Sequence, residues 1–281
     1  MSFASPERER THSWIMALLF MGFSMANLTP DAVMAGDLRV CADPNNLPFS
    51  NQTREGFENK IVELVAKELG EQVTYVWWAQ RRGFIRNTLK AGRCDLVAGV
   101  PTSLEMLRTT APYYRSSYVF VTKREGPDVS TFDDPRLHKL RIGVQLVGDD
   151  GANPPPVVAL ARRGMVGQLT GYPVYGDYSL PSPTAGVVMA VSRADVDVAI
   201  AWGPLAGYFA KKEGLRVIPV SGTEGDPALP MSFDISMGVR KGNDALAQAV
   251  ESALEKHRPE IRAILAAYGV PLVESGPGAA Q

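Results

Sequence analysis

The chain has 281 residues, 45% of them hydrophobic and 21% charged, with a formal net charge of −1. That composition is globular and excludes a disordered or fibrous protein. The near-neutral charge gives no basic footprint, so nucleic acid is not expected as a partner, and the length admits one large domain or two lobes with separate cores.

The first 35 residues read differently from the rest. Arg8 and Arg10 precede an apolar run, Trp14 to Met25, and Val33-Met34-Ala35 has the small-residue pattern of a signal-peptidase site. A cleavable signal peptide over 1–35 is expected, with the mature chain starting near Gly36. The alternative, a membrane anchor, is disfavoured because a span needs roughly 20 apolar residues.

From Gly36 onward strands and helices alternate. Leu38 to Ala42 is a predicted strand, followed by the turn-rich Asp43 to Phe49. Phe57, Ile61, Leu64, Val65 and Leu69 share one helical face, and Gly70 closes that helix. Val73 to Trp78 is a second strand, Phe84 to Leu89 a short helix and Asp95 to Val100 a third strand. Such alternation implies a parallel sheet. Tyr118 to Thr122 is one more strand, and the polar Lys123 to Pro135 suits a crossover.

A second unit opens with a strand over Leu140 to Gln145 and a loop, Gly148 to Gly151. Pro154 to Pro156 start a helix, where missing N–H groups cost nothing. A short strand at Val174-Tyr175, a helix over Thr184 to Ser192, a strand over Val196 to Ala201, a helix over Pro204 to Lys212 and a strand over Leu215 to Val220 follow. The chain then returns through a strand, Phe233 to Val239, and a helical region, Ala245 to Leu265, that Pro259 breaks or kinks. The Gly/Pro-rich tail over 273–281 is expected to be disordered. Cys41 and Cys94 fall on strands expected to be neighbours. In an oxidising compartment they form a disulfide, the alternative being two small buried apolar side chains.

The opening Leu38 to Asp43, the helix from Gly56-Phe57, Ala91-Gly92-Arg93-Cys94-Asp95 and Ala111-Pro112-Tyr113-Tyr114 resemble the type 2 periplasmic solute-binding proteins. The resemblance implies a two-lobed α/β periplasmic binding protein type 2 fold, with a central cleft and hinge crossovers. It implies lobe 1 from 36–124 and 230–272, and lobe 2 from 125–229. A narrower resemblance rests on Asp43 to Ser50, Trp77 to Phe84, Tyr113 to Tyr118, Gly143-Val144-Gln145 with Gly148-Asp149-Asp150, Val174 to Tyr178 and Trp202 to Tyr208. These segments are similar to the J proteins of methanol-oxidation gene clusters, the MoxJ/XoxJ type. That branch implies a periplasmic, non-catalytic accessory of a PQQ-dependent methanol dehydrogenase, assisting its maturation or activation, with a c-type cytochrome as a second partner. The calcium and lanthanide enzymes are equally compatible with these residues.

In open α/β sheets ligands sit beyond the carboxyl ends of the strands. Those ends carry Asp43, Asn45, Asn46, Phe49, Trp78, Gln80, Arg81, Pro101, Thr102, Asp149, Asp150 and Trp202, which are expected to line the cleft. Asn45 and Asn46 are equally suited to shaping a turn. Trp77 and Trp78 alternate, so one faces the core and one the cleft. Amino-acid binders of this family clamp the ligand carboxylate with an arginine and the ammonium with an aspartate. By resemblance those positions hold Ser103 and Trp202 here, with Arg108 off register. Burying an unpaired charge is costly, so such a cleft should bind a zwitterion poorly. Asp149 and Asp150 suit helix capping better than a Ca²⁺ site, which needs roughly 6–8 oxygen ligands. No P-loop, no H-E-x-x-H and no nucleophile with a visible histidine partner is present, so neither a cofactor nor a metal is expected. The competing readings are a transport receptor for a small solute that is not an amino acid and, less favoured, an enzyme on the same fold.

Overall fold

The structure is a computed structural model that describes residues 36–147, 153–222 and 229–274. The expected signal segment, Gly148 to Asp150 and the end of the tail lie outside the described residues.

Strand β1 (Asp37–Ala42) sits between β2 (Gln72–Trp77) and β3 (Leu96–Pro101), all parallel. Helix α1 (Phe57–Leu69) connects β1 to β2 and buries Phe57, Ile61, Val62, Val65 and Ala66 against them. The i, i+4 spacing of these apolar residues makes one continuous stripe. A one-turn α2 (Phe84–Asn87) precedes β3. The long strand β4 (Tyr114–Thr122) leads out of this half. It begins four residues earlier than the sequence pattern indicates, because Tyr114 to Ser117 pair with the returning strand β9 (Ser232–Val239). These four residues become strand because that partner arrives from the far end of the chain.

The second half contains β5 (Ile142–Leu146), α3 (Pro155–Arg162), β6 (Leu169–Pro173), α4 (Gly186–Ser192), β7 (Val198–Trp202), α5 (Gly203–Glu213) and β8 (Arg216–Pro219). The strand expected at Val174-Tyr175 is displaced: the pairing residues are Leu169–Pro173, parallel to β5. Gly176 turns the chain out of the sheet immediately afterwards, with φ 60 and no room for a side chain, since a Cβ would lie 1.9 Å from the Pro183 carbonyl oxygen. The return helix divides into α6 (Asp244–Lys256) and α7 (Arg258–Ala267), with Pro259 in the first turn of α7. The hydrogen-bonded strand order is β2-β1-β3-β9-β4-β7-β5-β6, with β8 also on β4.

Strand β4 therefore belongs to both halves. Tyr114 to Ser117 pair with β9, and Tyr118 to Thr122 pair with β7 and β8. The partner change falls between Ser117 and Tyr118. Separate apolar clusters fill the two halves, one around Phe57, Ile61 and Leu265, others around Val188 and Ala206 and around Phe120 and Leu160.

Cys41 and Cys94 are bonded, with Cα atoms 5.6 Å apart. Cys94 lies just before β3 rather than on it. Closing a loop of 53 residues contributes about 2–4 kcal/mol. Beside it, Arg39 grips Asp95 with two hydrogen bonds of 2.8 Å, and Arg240 adds a third at 3.2 Å. Burial pushes the Asp95 carboxyl up, but the bonds from Arg39 and Arg240 outweigh it and hold it below the usual range. At the chain end, the Val273 N–H donates to Arg115 O at 3.0 Å, so the order extends into the first residue of the expected tail.

Candidate functional site

A cavity of about 330 Å³ lies where the two halves meet. Its first wall is the loop after β1. Asp43 is 2% exposed, and its carboxylate accepts the Asn45 N–H at 2.8 Å, the Gln80 N–H at 2.6 Å and the Tyr178 hydroxyl. The Ser50 hydroxyl closes the same loop, accepting the Asp43 N–H at 3.1 Å and donating to Asp43 O at 2.9 Å. Phe49 packs on Phe57 with ring centroids 5.4 Å apart, which ties the loop to α1.

The opposite wall is the segment from Val174 to Thr184, which follows β6. It meets the first wall bond by bond. Asn45 donates to Leu180 O at 3.0 Å and accepts the Ser182 N–H at 3.1 Å. Asn46 accepts the Thr184 hydroxyl at 3.4 Å and donates to Gln80 Oε1 at 3.3 Å. The Arg81 guanidinium lies 4.4 Å from the centre of the Tyr178 ring. Burial, then the bond to Asp43, push the Tyr178 hydroxyl well above the usual tyrosine range, so it remains a donor. The two walls are thus latched by the protein's own groups.

The back of the cavity is aromatic. Trp202, at the end of β7, packs edge-on against Tyr118 and Phe233, with centroids 5.5 and 5.8 Å away. Among the described residues Asp43 is the one charged residue that lines the cavity. Its carboxylate is already engaged by three protein donors. Arg108 is not available either, since its Nε donates to Asp244 on α6 at 3.2 Å. Nor does α3 offer free amides to an anion: Pro154, Pro155 and Pro156 carry no N–H, and the Val157 N–H donates to Pro154 O at 3.0 Å.

Beneath the first wall, Glu58 of α1 is buried, and its pKa is pushed up to about 8 by burial first and by the Asp43 charge second. Gly99 on β3 makes room for it: a Cβ there would lie 1.9 Å from Glu58 Oε1. Glu58 therefore keeps its proton up to about pH 8 beneath the Asp43 loop.

Of the sequence candidates, Asp43, Asn46, Phe49, Gln80 and Trp202 line the cavity, and Asn45 secures its rim. Trp78 does not line it. It is 37% exposed with Arg93 5.1 Å above its ring, while Trp77 stacks on Tyr75. Trp77 ends β2 and Trp78 follows it, and neither lines the cavity. Arg81 and Pro101 line a separate groove. The Thr102 hydroxyl is taken up by Asp234 O at 3.1 Å and the Ser236 hydroxyl at 2.7 Å. Asp149 and Asp150 lie outside the described residues. Tyr118, Gln145, Tyr175 and Tyr178 line the cavity and were not singled out. All four stand within the branch motifs, which was the available signal. Among the described residues no group of three His, Cys, Asp or Glu side chains is placed to hold a metal, and no helix is long and apolar enough to cross a membrane.

Two α/β halves sharing β4, with a cavity at their junction, define a periplasmic-type binding protein. Residues 38–270 match the bacterial extracellular solute-binding proteins, family 3, and the chain belongs to that family. It is 32% identical to Protein MoxJ of Methylorubrum extorquens, covering 85% of this chain and 82% of that protein. To Protein MoxJ of Paracoccus denitrificans it is 28% identical, covering 90% and 95%. The crystal structure of the periplasmic binding protein XoxJ from Methylobacterium extorquens AM1 superposes with a TM-score of 0.69 at 38% identity, covering 85% of this chain and 100% of that one. The MoxJ/XoxJ resemblance carried by the sequence motifs is borne out.

Proposed function

We propose that the protein is an exported, periplasmic, non-catalytic accessory of a PQQ-dependent methanol dehydrogenase system, acting on the enzyme or its c-type cytochrome by protein contact. The observation that carries this reading is the state of the cavity. Among its described lining residues it holds no cation, and the one carboxylate there is engaged by Asn45, Gln80 and Tyr178. An amino-acid receptor must supply fixed charges for both ends of a zwitterion, because a buried charge without a partner costs several kcal/mol. The similarity to MoxJ and XoxJ supports the same reading. The lobe limits 36–124 with 230–272 and 125–229 belong to the proposal, supported by the change of partner in β4 between Ser117 and Tyr118.

The test is a clean deletion in the host. Methanol dehydrogenase should accumulate in a poorly active form and recover when the mature protein is supplied. Full activity in the deletion strain would sink the accessory role. The second reading, a receptor for a small solute that is not an amino acid, draws on the aromatic back wall of Trp202, Tyr118 and Phe233. Calorimetry of the mature protein separates the two: a ligand present at about a hundred times its Kd would add roughly 2.7 kcal/mol of stability.

A further inference from the structure

A second concavity, of about 450 Å³, lies on the first half beside the latch. Its floor is apolar: Phe84 of α2 and Val100 of β3 are buried there. Met106, 45% exposed, forms one edge, and Arg81 and Arg86 rise around it. Tyr175 closes one end, so the groove and the interlobe cavity share that residue as well as Gln80. Among the described lining residues there is no carboxylate.

The sequence around the groove is lopsided in charge. Between Glu71 and Asp95 the chain carries Arg81, Arg82, Arg86, Lys90 and Arg93 and no acidic residue, within a protein whose net charge is −1. Arg81, Arg86, Lys90 and Arg93 are all exposed, and no carboxylate among the described residues pairs with them. Several other surface arginines are paired: Arg115 with Asp234, Arg141 with Asp197, Arg163 with Asp133 and Arg193 with Asp195. Arg81 and Arg86, neither paired with a described carboxylate, rim an apolar floor beside an exposed methionine, which is the composition of a binding face rather than of ordinary solvated surface.

We infer that this groove is a docking site for an acidic segment of a partner protein, one that inserts an apolar side chain between flanking carboxylates. The shape selects a chain segment over a membrane. A bilayer is engaged by apolar side chains that project from a surface, whereas here Phe84 and Val100 lie at the bottom of a hollow. Carboxylates flanking the inserted group would meet Arg81 and Arg86, which present forked donors. The inference rests on the proposed function only for the class of partner. Because Tyr175 belongs to the latch segment, an occupant of the groove also touches the wall that closes the interlobe cavity.

The test uses the purified mature protein and a fluorescent synthetic peptide carrying a central phenylalanine flanked by aspartates and glutamates. A control peptide has those residues replaced by their amides. The acidic peptide should bind saturably, weaken as salt rises, and bind about tenfold more tightly than the amide control. Arg86→Glu should cost about tenfold and Met106→Ser about fivefold, since both side chains are exposed and neither supports the core. Lys139→Glu, an equal change of charge on the other half, should leave affinity within about twofold. The inference is overturned if no saturable binding occurs at low salt, or if Lys139→Glu weakens binding as much as Arg86→Glu. It is also overturned if vesicles of phosphatidylglycerol bind with an equal dependence on Arg86. No dehydrogenase enters this assay, so its failure and that of the accessory role are read separately.

Discussion

The two walls of the interlobe cavity are built in opposite ways. The loop from Asp43 to Ser50 is a finished socket. Asp43 and Ser50 are buried, two backbone N–H groups are fixed on the Asp43 carboxylate, and Phe49 is anchored on Phe57. The segment from Val174 to Thr184 is a clip. Its internal order is local: Asp177 accepts from the Ser179 amide and hydroxyl, and Gly176 makes the turn, while Leu180 remains 56% exposed. What holds it is the socket, through Asn45, Asn46 and the bond from Tyr178 to Asp43. A preorganised wall and a dependent one meet across the cleft, so opening the molecule breaks the bonds between them without dismantling the socket.

Substitutions on the two sides should therefore differ in kind. Asp43→Ala attacks the socket. It leaves the Asn45 and Gln80 N–H groups and the Tyr178 hydroxyl without their acceptor, and hydrogen bonds to charged groups are worth roughly 1.5–3 kcal/mol each. Urea denaturation should show a loss of about 3–5 kcal/mol. A loss below about 1 kcal/mol would mean that the loop is not held by this carboxylate.

The pH dependence of the socket sharpens the contrast. The folded protein keeps a proton on Glu58 up to about pH 8, whereas an unfolded chain releases it in the ordinary carboxylate range. Between those values the folded state binds one more proton, so stability falls as pH rises, by at most about 1.4 kcal/mol per pH unit from this group. Below that window the contribution is fully present, and above pH 8 it is gone. Glu58→Gln should remove this slope, and melting curves from pH 5 to pH 8 should show the variant gaining on the parent as pH rises. Parallel curves would show that Glu58 is ionised in the folded state.

Tyr178→Phe attacks the clip, with the smallest expected effect on stability, about 1 kcal/mol, because Asp43 keeps both backbone donors. Its main consequence should be conformational. Small-angle scattering should report a larger radius of gyration for the variant if this hydroxyl holds the walls together. An unchanged radius with a large loss of stability would reverse the assignment of socket and clip.

Much of this was legible from residue order. The Asp43 to Phe49 loop, the stripe of α1 and the return of the chain at β9 follow from turn residues, period and resemblance. The disulfide follows from export and neighbouring strands. The clip was less visible. Val174-Tyr175 read as a strand because β-branched and aromatic residues favour pairing, yet the partner of β5 is the preceding, glycine-containing Leu169–Pro173. Tyr178 carries no local sign of its role, since its acceptor lies 135 positions earlier. Trp78 looked like a cleft residue from its place at a strand end, but Arg93 covers it on the outer side.

By itself the sequence determined what depends on neighbours along the chain: the alternation of strands and helices, the capping of α1 at Gly70, the helix break at Pro259, and the motifs that define the branch. Only the tertiary structure decided that Asp43 is engaged by three protein donors, that Glu58 lies beneath it, and that Arg81 and Arg86 line a groove with no carboxylate among its described lining residues. Those facts depend on which distant groups arrive within hydrogen-bonding distance, and charge and burial act through space rather than along the chain.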